Sequence, residues 1–321
     1  MRRLTFLAAT GLLTVLLPVR AGGAEQVGTA FPKGFPVIND ASLGVPVLGF
    51  GGAGPGPVKR TPVIFLHGNN DTPYSTDCNT PYGKVQAFAQ YFADHGYRLG
   101  ELWALGYQGD QCDLQTDQSR RSAFPHTTIA NVPDLRKFVK AVLRYTGAPR
   151  VDIIGHSYGT TLAREWMRQD KSWKLVRKLV GIDGPEHGII NCSPGPRNYY
   201  VAIGFNPDSA VCVEVGSDRT PFLRRLNRGD ETPGPTRYLT IANEDTSFVY
   251  IDEQDGVFPP VPPEDRQGRP HDFSRSAWMK GSKIVLMKGQ GVYDDALRTS
   301  HLGILNSPEV WAIALDYLSR R

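Results

Sequence analysis

Apolar residues recur along this chain in two periods. Short, largely apolar runs stand at 62–66, 102–107, 151–154, 175–182, 238–242 and 284–287, most of them hydrophobic on both alternating faces. Runs of this length and character predict buried strands. Between them the spacing changes to that of a helix face. Val85, Phe88, Ala89 and Phe92 predict a helix over 82–95, stopped by Gly96. Leu135, Phe138, Val139 and Val142 predict a second over 133–145, stopped by Gly147, and Leu162 with Trp166 a third over 160–168. Ser307 caps a last helix that starts at Pro308 and buries Val310, Ile313, Ala314, Tyr317 and Leu318. Apolar strands alternating with amphipathic helices call for an α/β fold, a mostly parallel sheet of about six strands with helices on both faces.

Three stretches break the pattern. Residues 25–60 hold eight Gly and five Pro, too few regular positions for a strand or helix, so this extension is expected to wrap over the surface of the domain that follows. Residues 184–235 and 246–281 read as loop insertions at the sheet edge, forming a possible lid. No repeat and no linker between two cores is visible, so 61–321 is expected to be a single catalytic domain.

The first 24 residues change the picture of where the protein works. Arg2 and Arg3 precede an uncharged apolar run from Leu4 to Val19, followed by Ala21-Gly-Gly-Ala24. This reads as a signal peptide of about 1–24, through either a general or a twin-arginine export route. Its run is short for a membrane anchor and contains Pro18. The leader carries three of the basic residues and no acid, so the net charge of +4 falls to +1 (4 − 3) without it. Nothing in that balance suggests a nucleic-acid partner. Four cysteines in an exported chain favour disulfides. The pairing Cys78–Cys112 and Cys192–Cys212 is favoured. No CxxC spacing suggests a metal, no cofactor is expected, and the protein is expected to be a monomer.

Gly155-His-Ser-Tyr-Gly159 supplies candidate chemistry. A strand runs into it and a helix leaves it, the strand–turn–helix context that lifts a serine hydroxyl above the sheet edge. Small residues at 155 and 159 let strand and helix approach. Ser157 is the candidate nucleophile. The loop His67-Gly-Asn-Asn70 after the first buried strand offers the Asn69 backbone N–H, and the residue after the nucleophile offers that of Tyr158, as an oxyanion hole. A serine needs a base. His301, after the last strand and before the last helix, is the candidate, with His187 the main competitor; His156 is expected to point away from the nucleophile. The acid that orients the base should follow the strand 238–242. Asp245 is the candidate and Asp255 the runner-up.

These residues together resemble the α/β-hydrolase superfamily, and within it the secreted class 2 bacterial lipases. The likeness rests on Val63-Ile-Phe-Leu-His-Gly-Asn69, Val151-Asp-Ile-Ile-Gly-His-Ser-Tyr-Gly159 and His301-Leu-Gly-Ile-Leu-Asn-Ser307. A second likeness is to the secreted depolymerase of amorphous polyhydroxybutyrate, in the Gly-rich approach 49–57 and in Tyr145-Thr-Gly147 before Val151. The resemblance implies ester hydrolysis through an acyl-enzyme on lipid or polyester. The aromatics of the two insertions, Phe205 and Phe248 among them, are then candidates for an apolar substrate groove. A non-catalytic binding protein on the same fold is the competing reading.

Overall fold

The computed structural model describes residues 25–52, 57–79, 84–112, 127–194, 205–243, 264–288 and 300–320. Its strands are β1 (Leu48–Gly51), β2 (Val63–Leu66), β3 (Leu102–Gly106), β4 (Val151–His156), β5 (Val176–Ile182), β6 (Arg237–Asn243) and β7 (Lys283–Met287). Its α-helices are α1 (Val85–Asp94), α2 (Thr128–Thr146), α3 (Tyr158–Asp170), α4 (Ala210–Val215), α5 (Pro221–Leu226), α6 (Ser300–Leu305) and α7 (Pro308–Ser319).

The strands form one open seven-stranded sheet in the order β1-β3-β2-β4-β5-β6-β7. All neighbours run parallel except β1, which pairs antiparallel with β3. Strand alternation divides the core into two layers. Ile64, Leu66 and Ile153 pack on one face with Phe138, Leu162 and Trp166 from α2 and α3. Val63, Phe65 and Ile154 pack on the other with Phe88, Phe92 and Val310 from α1 and α7. Apolar alternation therefore sends successive side chains into two different cores, which is why both faces of these strands read as hydrophobic.

The sheet has seven strands rather than about six, and the added one lies where composition hid it. β1 sits in the Gly-rich extension, and its glycines are a packing requirement. A Cβ on Gly49 would lie 2.3 Å from the Ala104 carbonyl oxygen, and one on Gly51 2.5 Å from the Trp103 ring. α2 also begins earlier than Pro133 suggests. Thr127 caps it, its Oγ1 accepting from the Ala130 N–H at 3.2 Å, and Pro133 lies inside the helix. The insertion 184–235 is not wholly irregular either: it contains α4 and α5, each started by a capping hydroxyl, Ser209 or Thr220. These two short helices build a third apolar cluster over the sheet edge, with Phe222, Leu223 and Val211 against Tyr158.

Both expected disulfides are present. Cys78–Cys112 spans a separation of 34 residues and Cys192–Cys212 one of 20. Each closes a loop long enough to contribute roughly 3 kcal/mol through the unfolded state. The second anchors α4 to the segment that follows β5.

Candidate active site

The end of β4 and the start of α3 leave Ser157 in a conformation that L residues avoid, with φ 53° and ψ −127°. Such strain costs on the order of 1–3 kcal/mol and persists only where the surroundings enforce it. Here they do. The Ser157 N–H donates to the Ile182 carbonyl at 2.8 Å, tying the turn to the end of β5. The Thr160 N–H and hydroxyl close the turn onto the carbonyls of Ser157 and Gly155, at 3.0 and 2.8 Å. A Cβ at Gly155 would meet the Thr160 nitrogen at 2.6 Å, and one at Gly159 the carbonyl oxygens of Leu66 and His67 at 2.6 Å. Both positions are therefore closed to any side chain.

The loop after β2 is fixed just as firmly. His67 is fully buried and stacks on Tyr107, centroids 4.2 Å apart. Its Nδ1–H donates to the Gly68 carbonyl at 2.7 Å while Nε2 accepts from the Tyr107 N–H at 3.3 Å. This arrangement uses the neutral ring, and burial lowers its pKa to about 4. Gln108 clamps Asn69 and Asn70: its Nε2 donates to Asn69 Oδ1 at 2.8 Å and its Oε1 accepts from the Asn70 N–H at 2.9 Å. Sequence reasoning did not single out Gln108, which sits in a loop with no motif of its own. Asn69, Ser157 and Tyr158 line one small cavity, so the two expected oxyanion donors belong to residues that border the nucleophile.

His301 opens the first turn of α6 and is buried. Its Nδ1 lies 3.3 Å from Oδ2 of Asp183, the residue that follows β5. Asp183 is fully buried with φ 47° and also accepts from the N–H and side-chain amide of Asn243, at 3.1 and 3.0 Å. The ends of β4, β5 and β6 thus bring Ser157, Asp183 and Asn243 to the same sheet edge. Asp245, expected as the acid, comes two residues beyond Asn243 and lies outside the described residues, as do Asp255 and Phe248. Sequence reasoning did not single out Asp183, which follows β5, one strand earlier than the position searched.

His156 does not turn away from this group. Its Nε2–H donates to the His301 carbonyl at 2.9 Å, and the two rings stand 4.6 Å apart at a tilt of 34°. Burial, and then the neighbouring His301, hold its pKa well below the ordinary imidazole value, so it stays neutral. His187, the competitor for base, is engaged elsewhere: its Nε2 lies 3.4 Å from Glu231. Burial works against its protonation, but Glu231 outweighs that and raises its pKa.

The same cavity is also lined by Ile189, Phe205, Val211 and Val215. Phe205, expected in a substrate groove, therefore stands at the nucleophile. A buried polar contact holds this wall in place. The Tyr158 hydroxyl donates a short hydrogen bond to Glu214 of α4, and the first N–H of α2, that of Thr128, is shared between the two at 2.7 and 2.8 Å. A larger cavity of about 470 Å³ lies around Lys171 and Trp173, at the far end of α3. None of Ser157, Asp183 and His301 lines it, and Lys171 is roughly 20 Å along the helix from Ser157. Among the described residues no cluster of side chains suits a metal ion.

A family model for class 2 lipases matches residues 60–257. No curated protein matched the sequence. Among solved structures, the mature form of the Bacillus licheniformis lipase BlEst2 aligns with a TM-score of 0.54 at 14% identity, over 85% of this chain and 98% of its own. Aspergillus fumigatus lipase B aligns with a TM-score of 0.48 at 16% identity over 81% of this chain, which spans only 52% of the fungal enzyme's length. At such identities the likeness speaks for the fold, and the open, mostly parallel sheet with helices on both faces is that of the α/β hydrolases. The family match covers more than half of the chain, and the chain belongs to the class 2 lipases, ester hydrolases of the α/β-hydrolase fold.

Proposed function

We propose that this protein is a secreted serine carboxylic-ester hydrolase acting on lipid or polyester esters. The observation that carries the reading is the enforced, strained turn at Ser157, bordered in one cavity by Asn69 and Tyr158. In this reading Ser157 Oγ attacks the ester carbonyl and His301 Nε2 takes its proton. The backbone N–H groups of Asn69 and Tyr158 receive the oxyanion as charge develops on it, an interaction stronger in the transition state than before it. His301 then protonates the departing alcohol, and a water activated by the same ring releases the acid from the acyl-enzyme.

Asp183 steadies His301 in this scheme, on the strength of its 3.3 Å approach to Nδ1. Asp245, which follows the strand expected to carry the acid, stays the alternative, because Asn243 bonds Asp183 and so delivers the end of β6 to the same carboxylate. A leader and two disulfides support an extracytoplasmic site of action. The likeness to the polyhydroxybutyrate depolymerase supports polyester as a second substrate class. The test is hydrolysis of nitrophenyl esters with and without a serine-directed phosphonate. Ser157→Ala is expected to lose at least a thousandfold in kcat, keep its fold by circular dichroism, and take no phosphonate label. Undiminished turnover by Ser157→Ala would overturn the reading.

A further inference from the structure

We infer that the cavity between the C-terminal ends of α3 and α5 is a second binding site, apart from Ser157, for an anion that carries an apolar chain, with a fatty carboxylate as its simplest ligand. It goes beyond the proposed hydrolysis and uses none of the residues assigned to it.

The cavity, about 470 Å³ in volume, falls in the range of roughly 300–1,000 Å³ in which proteins hold small organic ligands. Its lining comes from two stretches, 164–173 and 225–238. Met167, Trp173, Leu226, Pro233 and Tyr238 give it apolar walls. These walls are fixed. The Tyr238 hydroxyl donates to the Pro233 carbonyl at 2.8 Å, and a Cβ on Gly234 would lie 2.6 Å from the Trp173 Cβ. Arg164, only 5% exposed, ties α3 to the residue after α5. It pairs with Glu186 and donates to Asn227 Oδ1 at 3.0 Å.

Five cations line the cavity against two carboxylates. Three of the cations are already engaged. Arg164 belongs to Glu186, and Arg168 and Arg225 share the buried carboxylate of Glu165, at 2.8 and 3.5 Å. Both lining carboxylates have partners of their own. Asp230 accepts from the Thr232 N–H at 2.9 Å, and Glu231 accepts from the Lys280 N–H at 2.8 Å. That leaves Lys171 and Arg228, both exposed, neither paired with a carboxylate among the described residues. Complementing the carbonyl ends of the two helices accounts for Arg168 and Arg225, which lie in the last turns. Lys171 and Arg228 come after those turns. Lys171 also holds a left-handed backbone, with φ 49° and ψ 39°, at a position where a helix usually ends on Gly. Glycine would end α3 with less strain, so what lysine adds there is its charge.

An anionic amphiphile matches both halves of this site. Its head accepts from the Lys171 ammonium and the Arg228 guanidinium. Its chain loses contact with water against Trp173, Tyr238 and Leu226. A neutral alcohol of equal length forgoes the first interaction and acetate the second, while a cation of equal length meets like charge. Because Lys171 stands roughly 20 Å from Ser157 along α3, an occupied cavity leaves the nucleophile open.

Isothermal titration calorimetry of the full protein with octanoate tests the site. Octanoate should bind once per chain and at least tenfold more tightly than acetate, octanol or octyltrimethylammonium. Prior treatment with a serine-directed phosphonate should leave this binding unchanged. Lys171→Gln combined with Arg228→Gln should weaken it at least tenfold, with turnover of nitrophenyl acetate at the wild-type rate. Lys171→Gly should weaken it too while melting no lower than wild type, which separates lost charge from a lost fold. In Trp173→Phe the change in Trp fluorescence on binding should shrink while calorimetric binding remains. Dihexanoyl phosphatidylglycerol, titrated in the same way, distinguishes a lipid headgroup from a free acid as the source of the anion, the tighter of the two naming it.

Failure of both anions to bind would overturn the inference. So would octanoate binding of equal strength in the Lys171→Gln, Arg228→Gln protein, or equal binding of octyltrimethylammonium. Binding abolished by the phosphonate would move the acid to Ser157 and overturn it as well. Octanoate bound as expected, with no ester turned over and no phosphonate label on Ser157, would sink the esterase reading and leave this site standing.

Discussion

At the scale of single residues, the candidate machinery depends on groups that never meet the substrate. His156 places an N–H on the His301 carbonyl and a ring against the His301 ring. Its loss frees the first turn of α6 and lets His301 drift, and misplacement of a reacting group by about 1 Å costs on the order of a hundredfold. His156→Phe should therefore lower kcat roughly tenfold to a hundredfold with little change in KM, because the packing survives and the tether does not. Steady-state kinetics on a soluble ester checks this, and unchanged kcat would show that the tether is idle. The acid can be assigned at the same scale. Asp183→Asn and Asp245→Asn, measured side by side, should differ sharply, since loss of the carboxylate that fixes a catalytic His drops kcat by about 10⁴. The geometry expects Asp183→Asn to be the impaired one, and a silent Asp183→Asn beside an inactive Asp245→Asn would hand the role to Asp245.

At the scale of elements, the nucleophile turn works because two glycines let α3 start in contact with the loop after β2. The clash a Cβ would suffer at Gly159 is with backbone oxygen, which cannot rotate away. Gly159→Ala should destabilise the fold by about 1–3 kcal/mol through overpacking, and should displace the oxyanion donors with it. Urea denaturation monitored by Trp fluorescence reads the first effect and kcat the second; a variant of native stability and rate would contradict the close approach. The same kind of contact explains β1. Residues 48–51 look irregular in sequence because glycine carries no hydrophobic signal, yet a strand crossing over Trp103 has room for nothing larger. α4 and α5 escaped notice for a related reason. Six residues show too little periodicity to announce a helix, and these two are held by Cys192, Glu214 and the capping hydroxyls of Ser209 and Thr220.

At the scale of the whole molecule, folding places neutral imidazoles where they cannot charge. The pKa of His67 falls to about 4 from an ordinary 6.5 because the ring is buried. Between those values the unfolded chain binds a proton that the native state refuses, so this group's contribution is complete above about pH 6.5 and is lost as pH falls toward 4. The loss amounts to about 3 kcal/mol, and His156, lowered in the same direction, adds to it. Buried carboxyls such as Glu214, raised by burial, act in the opposite sense, so the His67 term is best isolated by difference. The stability gap between wild type and His67→Gln should shrink by about 3 kcal/mol from pH 7 to pH 4, measured by chemical denaturation. A gap independent of pH would mean that His67 titrates normally.

Local pattern determined much of this protein by itself. Buried parallel strands announce themselves by runs such as Val63-Ile-Phe-Leu66, and the Gly155–Gly159 turn announces itself by a strand before it and a helix after it. Cysteine positions within loops were enough to pair both disulfides. What only tertiary structure decided was which distant groups share the sheet edge. Asp183 reaches His301 across 118 residues, and Glu214 reaches Tyr158 across 56. Such partners are chosen by strand order and by the docking of an insertion, and neither leaves a periodic trace along the chain.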